Sequence, residues 1–248
     1  MVKKLSKKIL YLGSLSLLMI GNPLMAAESQ AMEIIKKAYR HIGNTDRFAF
    51  DAVVADNLEQ DKKAPGLFKH RVSVKVERPG KFRVDTVSSV RDRSSYLNDG
   101  TFTMIDRGVG YYGQVKAGKT IDDALDLLFK EYGIRAPLAA LLYSDMDRRF
   151  KVSASKYFGK RVIDGVECDY VAFRIDKKTV HVWVMTGDEP LVRSYRIIEQ
   201  SNGEKSDIGA LLSWKKHPSI SSKDFVFKVP KDAMKISVAR ENGEGDKQ

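Results

Sequence analysis

A two-residue alternation of apolar and polar side chains recurs along most of this chain and constrains its fold more than any other feature. It starts at Arg47 and is clearest in one run: Arg71, Val72, Ser73, Val74, Lys75 and Val76. Because successive side chains of a β-strand point to opposite faces of a sheet, this pattern predicts strands with one buried face. Pairs typical of hairpin turns separate the runs: Asn98-Asp99-Gly100, Asp164-Gly165 and Asn202-Gly203. The sequence therefore predicts an antiparallel sheet.

Two regions interrupt the strands and predict helices. Glu28–Ile42 repeats apolar residues at spacings of three and four, which is the period of an amphipathic helix. Thr120–Asp123 resembles a capping box with Asp in place of Glu, and Gly133 ends that predicted helix. A second short helix is predicted from Ala136 to Tyr143. The strand pattern then resumes in six segments: Lys151–Arg161, Val166–Ile175, Thr179–Met185, Pro190–Glu199, Gly209–Lys215 and Phe225–Val229.

About eleven antiparallel strands with an N-terminal helix and a mid-chain helical pair do not fit a parallel sheet with crossover helices. They predict an α+β fold in which helices pack into the concavity of a large, strongly curved sheet. No Pro-, Ser- or Gly-rich linker divides the chain, so one domain is predicted over residues 27–234. The polar residues that follow, 235–248, predict a disordered tail.

The N-terminus predicts export. Four lysines precede the apolar run Ile9–Ile20, and the small residues Ala26-Ala27 follow it, as in a secretory signal peptide covering residues 1–26. A membrane anchor is the alternative, but the run is shorter than the roughly 20 residues that span a bilayer. No cysteine lies near the cleavage region, so a lipid anchor of the bacterial lipoprotein kind is excluded. We expect a periplasmic protein that is soluble after cleavage.

Net charge limits the class of partner that the chain favours, and cysteine content limits the kinds of site that it can form. The chain has 43 Lys and Arg against 32 Asp and Glu, a net charge of +11, which falls to +7 without residues 1–26. A basic balance favours anionic partners, and in an exported protein these are envelope lipids rather than nucleic acid. Cys168 is the single cysteine, which excludes intramolecular disulfides and multi-cysteine metal sites.

The candidate catalytic motifs favour structural interpretations. Gly108–Gly113 matches the GxGxxG pattern, but no βαβ unit surrounds it, so a hairpin turn is predicted instead of a nucleotide site. Asp122 and Asp123 fall in the first turn of a predicted helix, where negative charge is favourable. Asp145 and Asp147 are interpreted as part of a charged connection and Cys168 as a small core residue. The four histidines lie far apart in sequence: His41, His70, His181 and His217. We therefore nominate no catalytic residue, metal or cofactor.

The order of several short motifs resembles known periplasmic proteins. Val76–Arg83 followed by Leu97–Met104 is similar to the strand-turn-strand core of lipoprotein-carrier proteins of the Lol type. A narrower resemblance, to the predicted periplasmic proteins of domain-of-unknown-function family 2092, extends over residues 33–235. It is carried by six segments: Ile121–Leu125, Tyr132–Ile134, Pro137–Ala139, Leu142–Asp145, Ile163–Asp169 and Trp183–Met185. The resemblance implies an incomplete β-barrel with a mid-chain helical lid over an apolar cavity.

The predicted lid is more apolar than a lone surface helix requires. Helix and sheet residues together form our candidate apolar ligand cavity: Val72, Val74, Val76, Phe82, Val84, Leu125, Leu128, Phe129, Leu138, Leu141 and Leu142. The alternative is that these residues simply complete the core, which is the usual role of an apolar stripe. Alternation also places five cations on the opposite face of one hairpin, as a candidate basic docking face for an anionic membrane surface or an acidic partner: Lys69, Arg71, Lys75, Lys81 and Arg83. The alternative is an ordinary solvated face, because one side of an antiparallel sheet is normally polar.

These features favour a non-enzymatic, monomeric binding or carrier protein for a lipid, an acyl chain or a lipoprotein. The alternative is a periplasmic protein-interaction or sensor module whose core is fully packed. An envelope hydrolase would need an acid-base or metal cluster, which the motifs above do not supply.

We predict that export removes the N-terminus after Ala26, so that Ala27 is the first residue of the mature protein. Intact-mass measurement and N-terminal sequencing of protein from the envelope fraction test this. A full-length species held in the inner membrane would show instead that the segment is an anchor.

Overall fold

The computed structural model describes residues 23–56, 68–134, 138–201 and 204–241. Residues 1–22 lie outside these ranges, and with them most of the predicted signal peptide. The first described element is α1, Pro23–Gly43, which begins five residues earlier than the sequence predicts and ends one residue later.

α1 buries the side chains that the helical period selects: Ala31, Ile35, Ala38, Tyr39 and Ile42. The Tyr39 ring packs edge-on against Phe150 at 5.4 Å between centroids, and Phe150 packs in turn on Phe173 at 4.9 Å. This ring series joins α1 to the sheet, and it places the main hydrophobic core between the helices and one sheet face. We refer to that face as the concave face.

One twelve-stranded sheet dominates the described part of the chain. Its strands are β1 (Arg47–Asp56), β2 (Phe68–Glu77), β3 (Lys81–Val87), β4 (Asp92–Asn98), β5 (Thr101–Asp106), β6 (Tyr111–Lys116), β7 (Ala154–Ile163), β8 (Val166–Ile175), β9 (Lys178–Met185), β10 (Val192–Ser201), β11 (Glu204–Trp214) and β12 (Met234–Ile236). They lie in the order β12-β6-β5-β4-β3-β2-β1-β11-β10-β9-β8-β7. β1 to β11 pair antiparallel as predicted, whereas β12 pairs parallel to β6, so the sheet is open, curved and mixed.

Two segments near the C-terminus differ from the prediction. Phe225–Val229 is not a strand: Ser222–Phe225 forms a 3-10 helix, capped by Ser221 and Asp224. Its apolar residues mimic strand alternation because Phe225 and Phe227 both pack on the convex face, Phe227 lying 5.6 Å from the Tyr96 ring. Beyond it, β12 extends the sheet into the segment predicted as a tail, since its backbone occupies the outer edge of β6.

The edge strand β7 is irregular. Its register with β8 shifts between Tyr157 and Lys160, around Gly159 at a φ of 81°. A positive φ is a conformation that glycine adopts at low cost, and it is typical of the extra residue in a β-bulge.

The mid-chain helix α2, Ile121–Tyr132, has the predicted ends. The Thr120 hydroxyl accepts a hydrogen bond from the Asp123 backbone N–H at 3.1 Å, and Gly133 stops the helix at a φ of 61°. The second predicted helix is only a 3-10 helix, Ala139–Leu141, followed by the short α3, Met146–Arg149. Its buried Leu138 and Leu141 are three residues apart, which matches the three-residue turn of a 3-10 helix.

We predict that Thr120→Ala lowers the free energy of unfolding by about 1 kcal/mol, because the first turn of α2 loses its side-chain cap. Urea denaturation followed by circular dichroism measures this, with Ser89→Ala in an exposed turn as the control. Equal midpoints for the two variants would show that the cap contributes nothing.

Candidate apolar binding site

A cavity of about 380 Å³ lies between α2, the segment around the 3-10 helix Ala139–Leu141, and strands β3 to β5. Its lining is almost wholly apolar: Phe82, Val84, Ser95, Phe102, Leu125, Leu128, Phe129, Ile134, Ala139, Leu142 and Tyr143. The cavity is within the range of about 300–1,000 Å³ in which small-molecule sites fall, at its lower end.

The sheet supplies one wall through register. Val84 pairs with Ser95, and Phe82 pairs with the Leu97 that precedes the turn into β5. Side chains two residues apart on a strand share a face, so Phe82 and Val84 both point toward the helices. Phe102 of β5 packs against Phe82 with 6.3 Å between ring centroids. These side chains form the apolar floor of the cavity.

α2 supplies the opposite wall. Leu125, Leu128 and Phe129 are spaced three and four residues apart, and so share one face of the helix. Leu128 is only 2% exposed, whereas Phe129 is 48% exposed although it also lines the cavity. Phe129 therefore lies at the rim of the cavity, where its ring faces both the cavity and the solvent.

Polar contacts hold α2 against the remaining wall. The Tyr143 hydroxyl donates to Asp126 at 3.0 Å, and Arg149 bonds the same carboxylate at 2.8 Å while lying over the Tyr143 ring. Burial raises the pKa of Tyr143 to about 12, and the Asp126 contact adds to this. Burial works against ionisation of Asp126, but hydrogen bonds from Arg149 and Tyr143 hold its pKa below the usual value. The Tyr143 proton is therefore committed to Asp126 rather than to a ligand.

Arg78 fixes the same wall from the sheet side. Its guanidinium donates to the backbone oxygen of Leu142 at 2.7 Å and to that of Tyr143 at 3.3 Å, and lies 5.5 Å from the Phe48 ring centroid. Burial lowers the pKa of Arg78. At the start of α2, Asp122 accepts a hydrogen bond from the Ser144 backbone N–H at 2.9 Å. Asp122 is thus a structural residue.

The predicted cavity residues fall into two groups. Six of them line the cavity: Phe82, Val84, Leu125, Leu128, Phe129 and Leu142. The other five pack in the hydrophobic core instead: Val72, Val74, Val76, Leu138 and Leu141. Sequence reasoning missed five lining residues: Ser95, Phe102, Ile134, Ala139 and Tyr143. Of these, Phe102 had a usable signal, because it belongs to the same alternating pattern as Phe82.

The candidate basic docking face is largely neutralised by nearby carboxylates. Three of its cations form ion pairs, Lys75 with Asp224 at 2.8 Å, Lys81 with Glu77 at 2.7 Å and Arg83 with Asp85 at 2.8 Å. Lys69 and Arg71 are exposed on the same hairpin. The 3-10 helix Ser222–Phe225 that carries Asp224 lies over this side of the sheet. Docking at this face stays a prediction, with less free charge than the sequence indicates.

The motifs interpreted as structural have structural positions. Gly108–Gly113 spans the turn between β5 and β6 and continues as strand, with Gly110 at a φ of 73°. Asp147 is buried and pairs with Arg40 of α1 at 3.2 Å, and Asp145 pairs with Arg149. Cys168 is fully buried, and burial raises its thiol pKa to about 11. His181 bonds the Tyr170 hydroxyl at 2.8 Å. Within the described ranges, three or more His, Cys, Asp or Glu side chains do not meet in a metal-binding arrangement.

The fold and cavity define a class of protein: an open, curved sheet whose concave face is partly covered by helices, with an apolar cavity left beneath one of them. The family model of predicted periplasmic proteins, DUF2092, matches residues 31–239, so the chain belongs to this family and is periplasmic. Each helix of the described ranges is too short or too polar to cross a membrane.

Solved structures resemble the chain at low identity. LprF from Mycobacterium bovis is 14% identical, with 83% of this chain and 98% of that chain covered and a TM-score of 0.46. A LolA superfamily protein from Nitrosomonas europaea is 11% identical, with 79% and 97% covered and a TM-score of 0.37. A DUF1329 family protein from Desulfovibrio piger is 9% identical, with 83% and 98% covered and a TM-score of 0.36. The comparison with curated proteins found no match.

Leu128 and Leu141 form a matched pair for testing the boundary between cavity and core. Both are buried leucines, but only Leu128 lines the cavity. We predict that Leu128→Phe costs less than about 1 kcal/mol because the added atoms enter empty space, whereas Leu141→Phe costs about 1–3 kcal/mol through overpacking. Chemical denaturation of both variants measures the difference. Equal losses would mean that the cavity does not accept the larger ring.

Proposed function

We propose that this protein is a non-enzymatic periplasmic binding or carrier protein for a lipid, an acylated protein or another apolar envelope component. The apolar cavity beneath α2, with the half-exposed Phe129 at its rim, is the observation that carries the proposal. The proposed mature protein begins at Ala27, folds as a single domain and acts as a monomer, without a covalent step or a cofactor.

The lining supports a hydrocarbon ligand. Ser95 and Tyr143 are the lining residues with hydroxyl groups, and the Tyr143 hydroxyl is already bonded to Asp126. Binding would therefore depend on burial of apolar surface, which contributes about 0.8 kcal/mol for each buried methylene. The cavity volume suits one acyl chain rather than a whole lipid, so the head group or the attached protein would lie outside.

The way α2 is held supports a role as a lid over an incomplete β-barrel. Its N-terminal half is tied down through Asp122 and Asp126, and the backbone of its last turn accepts a hydrogen bond at Glu131 from the Glu241 N–H at 2.9 Å. Its large side chains, Leu128 and Phe129, separate the helix from the strands below. A lid of this kind could admit a chain by small shifts of side chains at its C-terminal half. The sequence resemblance to Lol-type carriers agrees with such a lid.

A second candidate function is a protein-interaction or sensor module, favoured by the five predicted cavity residues that pack in the core instead. In that case the remaining cavity would be a packing defect without a ligand. Native mass spectrometry of protein purified from the envelope, with lipid extraction, separates the two candidates, because a carrier retains cargo.

We predict that the protein binds the fluorescent probe 11-dansylundecanoic acid and that Val84→Trp weakens binding about tenfold or more. A tenfold loss equals about 1.4 kcal/mol, roughly the burial of two methylenes. Val53→Trp is the matched control, since Val53 is 47% exposed on the opposite face of the sheet. Fluorescence titration measures both affinities. A parent protein that binds no probe and retains no lipid would refute the carrier function.

A further inference from the structure

Two neighbouring turns at one end of the strands expose apolar side chains. Val90, in the turn from β3 to β4, is 67% exposed, and Val109, in the turn from β5 to β6, is 63% exposed. Tight turns are ordinarily built from Gly, Pro, Asn, Asp and Ser, so exposed valines at both are unusual. Three further exposed residues lie within three positions of these valines or on the neighbouring strand β12, on both faces of the sheet, and complete what we term the tip patch: Val87, Val90, Val109, Tyr111 and Met234.

Backbone and ion-pair contacts hold the two turns side by side. The Arg107 backbone N–H donates to the Asp92 oxygen at 2.8 Å, and the Arg107 side chain pairs with the Asp92 carboxylate at 3.0 Å. Arg93 pairs with Asp106 at 2.6 Å across the same two strands. Met234 joins them because its N–H donates to the Gly110 oxygen at 2.8 Å. The tip patch is therefore a preformed surface.

The tip patch lies close to the cavity. Val84 lines the cavity, and Val87 follows three residues later on the same strand, about 10 Å away, with its side chain on the convex face. α2 starts at the opposite end of the strands, where the Ile121 N–H donates to the backbone oxygen of Pro79 in the turn between β2 and β3. Phe129 lies eight residues, or about 12 Å, further along that helix. Phe129, at the rim of the cavity, thus lies well along the helix from the end that contacts the β2–β3 turn.

We infer that the tip patch docks on an anionic lipid bilayer by inserting Val90 and Val109 between head groups. The inference rests on the proposed function, since a carrier of an acyl chain must meet the membrane that supplies or receives it. Valines on two separate turns protrude as points, a shape that suits a soft head-group layer better than the flat face of a protein. They would bury apolar side chains at the boundary between head groups and acyl chains.

Charge at the tip patch fits this partner. Arg91, Arg93 and Arg107 lie in or beside the two turns, against Asp92 and Asp106. The Arg93 and Arg107 side chains are 49% and 38% exposed even in their ion pairs, so both can also reach lipid phosphates. Each cation near an anionic bilayer adds to the attraction. The candidate basic docking face has three of its five cations paired in the same way, so the exposed valines, and not the charge, distinguish the tip patch from it.

The test is co-sedimentation of the mature protein with vesicles of phosphatidylethanolamine and phosphatidylglycerol. We expect the double variant Val90→Asp with Val109→Asp to bind the vesicles at least about tenfold more weakly than the parent, because two charges replace the inserted apolar groups. Val162→Asp is the matched control and should stay within about twofold of the parent. Val162 is 69% exposed but lies at the opposite end of the strands, beside the Asp164-Gly165 turn. Thermal melting of each variant checks that it is folded.

A gain-of-signal variant provides a second measurement. Val109→Trp should shift its added tryptophan emission to shorter wavelength when vesicles are present, since insertion removes the indole from water. A parent protein that does not sediment with vesicles, or a double variant that sediments like the parent, overturns the inference. Probe titration without vesicles tests the proposed function separately: loss of vesicle binding in the double variant supports the tip patch even if the parent binds no fatty acid.

Discussion

The structure depends on covering the apolar concave face of one long, curved sheet. A twelve-stranded sheet presents far more apolar surface on that face than a single helix can bury, and each uncovered part would cost free energy in water. Two helical regions share the task at different positions. α1 covers the β7 to β9 side, and α2 with the segment that follows covers β3 to β5. The cavity exists because they do so unequally.

The two helices meet the sheet with different sets of side chains. α1 faces the sheet with the small residues Ala31 and Ala38, both fully buried, so its backbone approaches closely and the rings of Tyr39 and Phe150 close the remaining gap. α2 also buries a small residue, Ala124, but the cavity lies between the strands and its larger side chains Leu125, Leu128 and Phe129, so a separation remains there. Polar links through Asp122 and Asp126 then hold α2 at that separation. The apolar face of α1 is therefore buried against the sheet, whereas α2 leaves a cavity beside Leu125 and Leu128.

Local patterns were enough to predict many of the elements. The cap at Thr120 and the stop at Gly133 bound α2 where expected, and β8 has the predicted ends, Val166 and Ile175. Alternation also identified which side of each strand is apolar. It could not separate Val74 from Val84, which pair directly across β2 and β3, although Val74 packs in the core and Val84 lines the cavity. That distinction depends on where α2 lies, and no local pattern contains this information. The partner of Lys75 is Asp224, far along the chain, so the neutralised charge was equally hidden from sequence reasoning.

The treatment of the two sheet edges affects how copies of this protein meet. A long open sheet ends in unpaired backbone groups, which are a template for adding a strand from another chain. Here β12 pairs in the parallel direction with the outer side of β6, so a segment of the protein's own chain covers that edge. The other edge strand, β7, is bent at Gly159 and carries Lys156, Lys160 and Arg161, features that disfavour edge-to-edge pairing. The molecule can therefore leave the apolar cavity beneath α2 accessible while the features of both sheet edges disfavour the strand exchange that leads to fibrous aggregation.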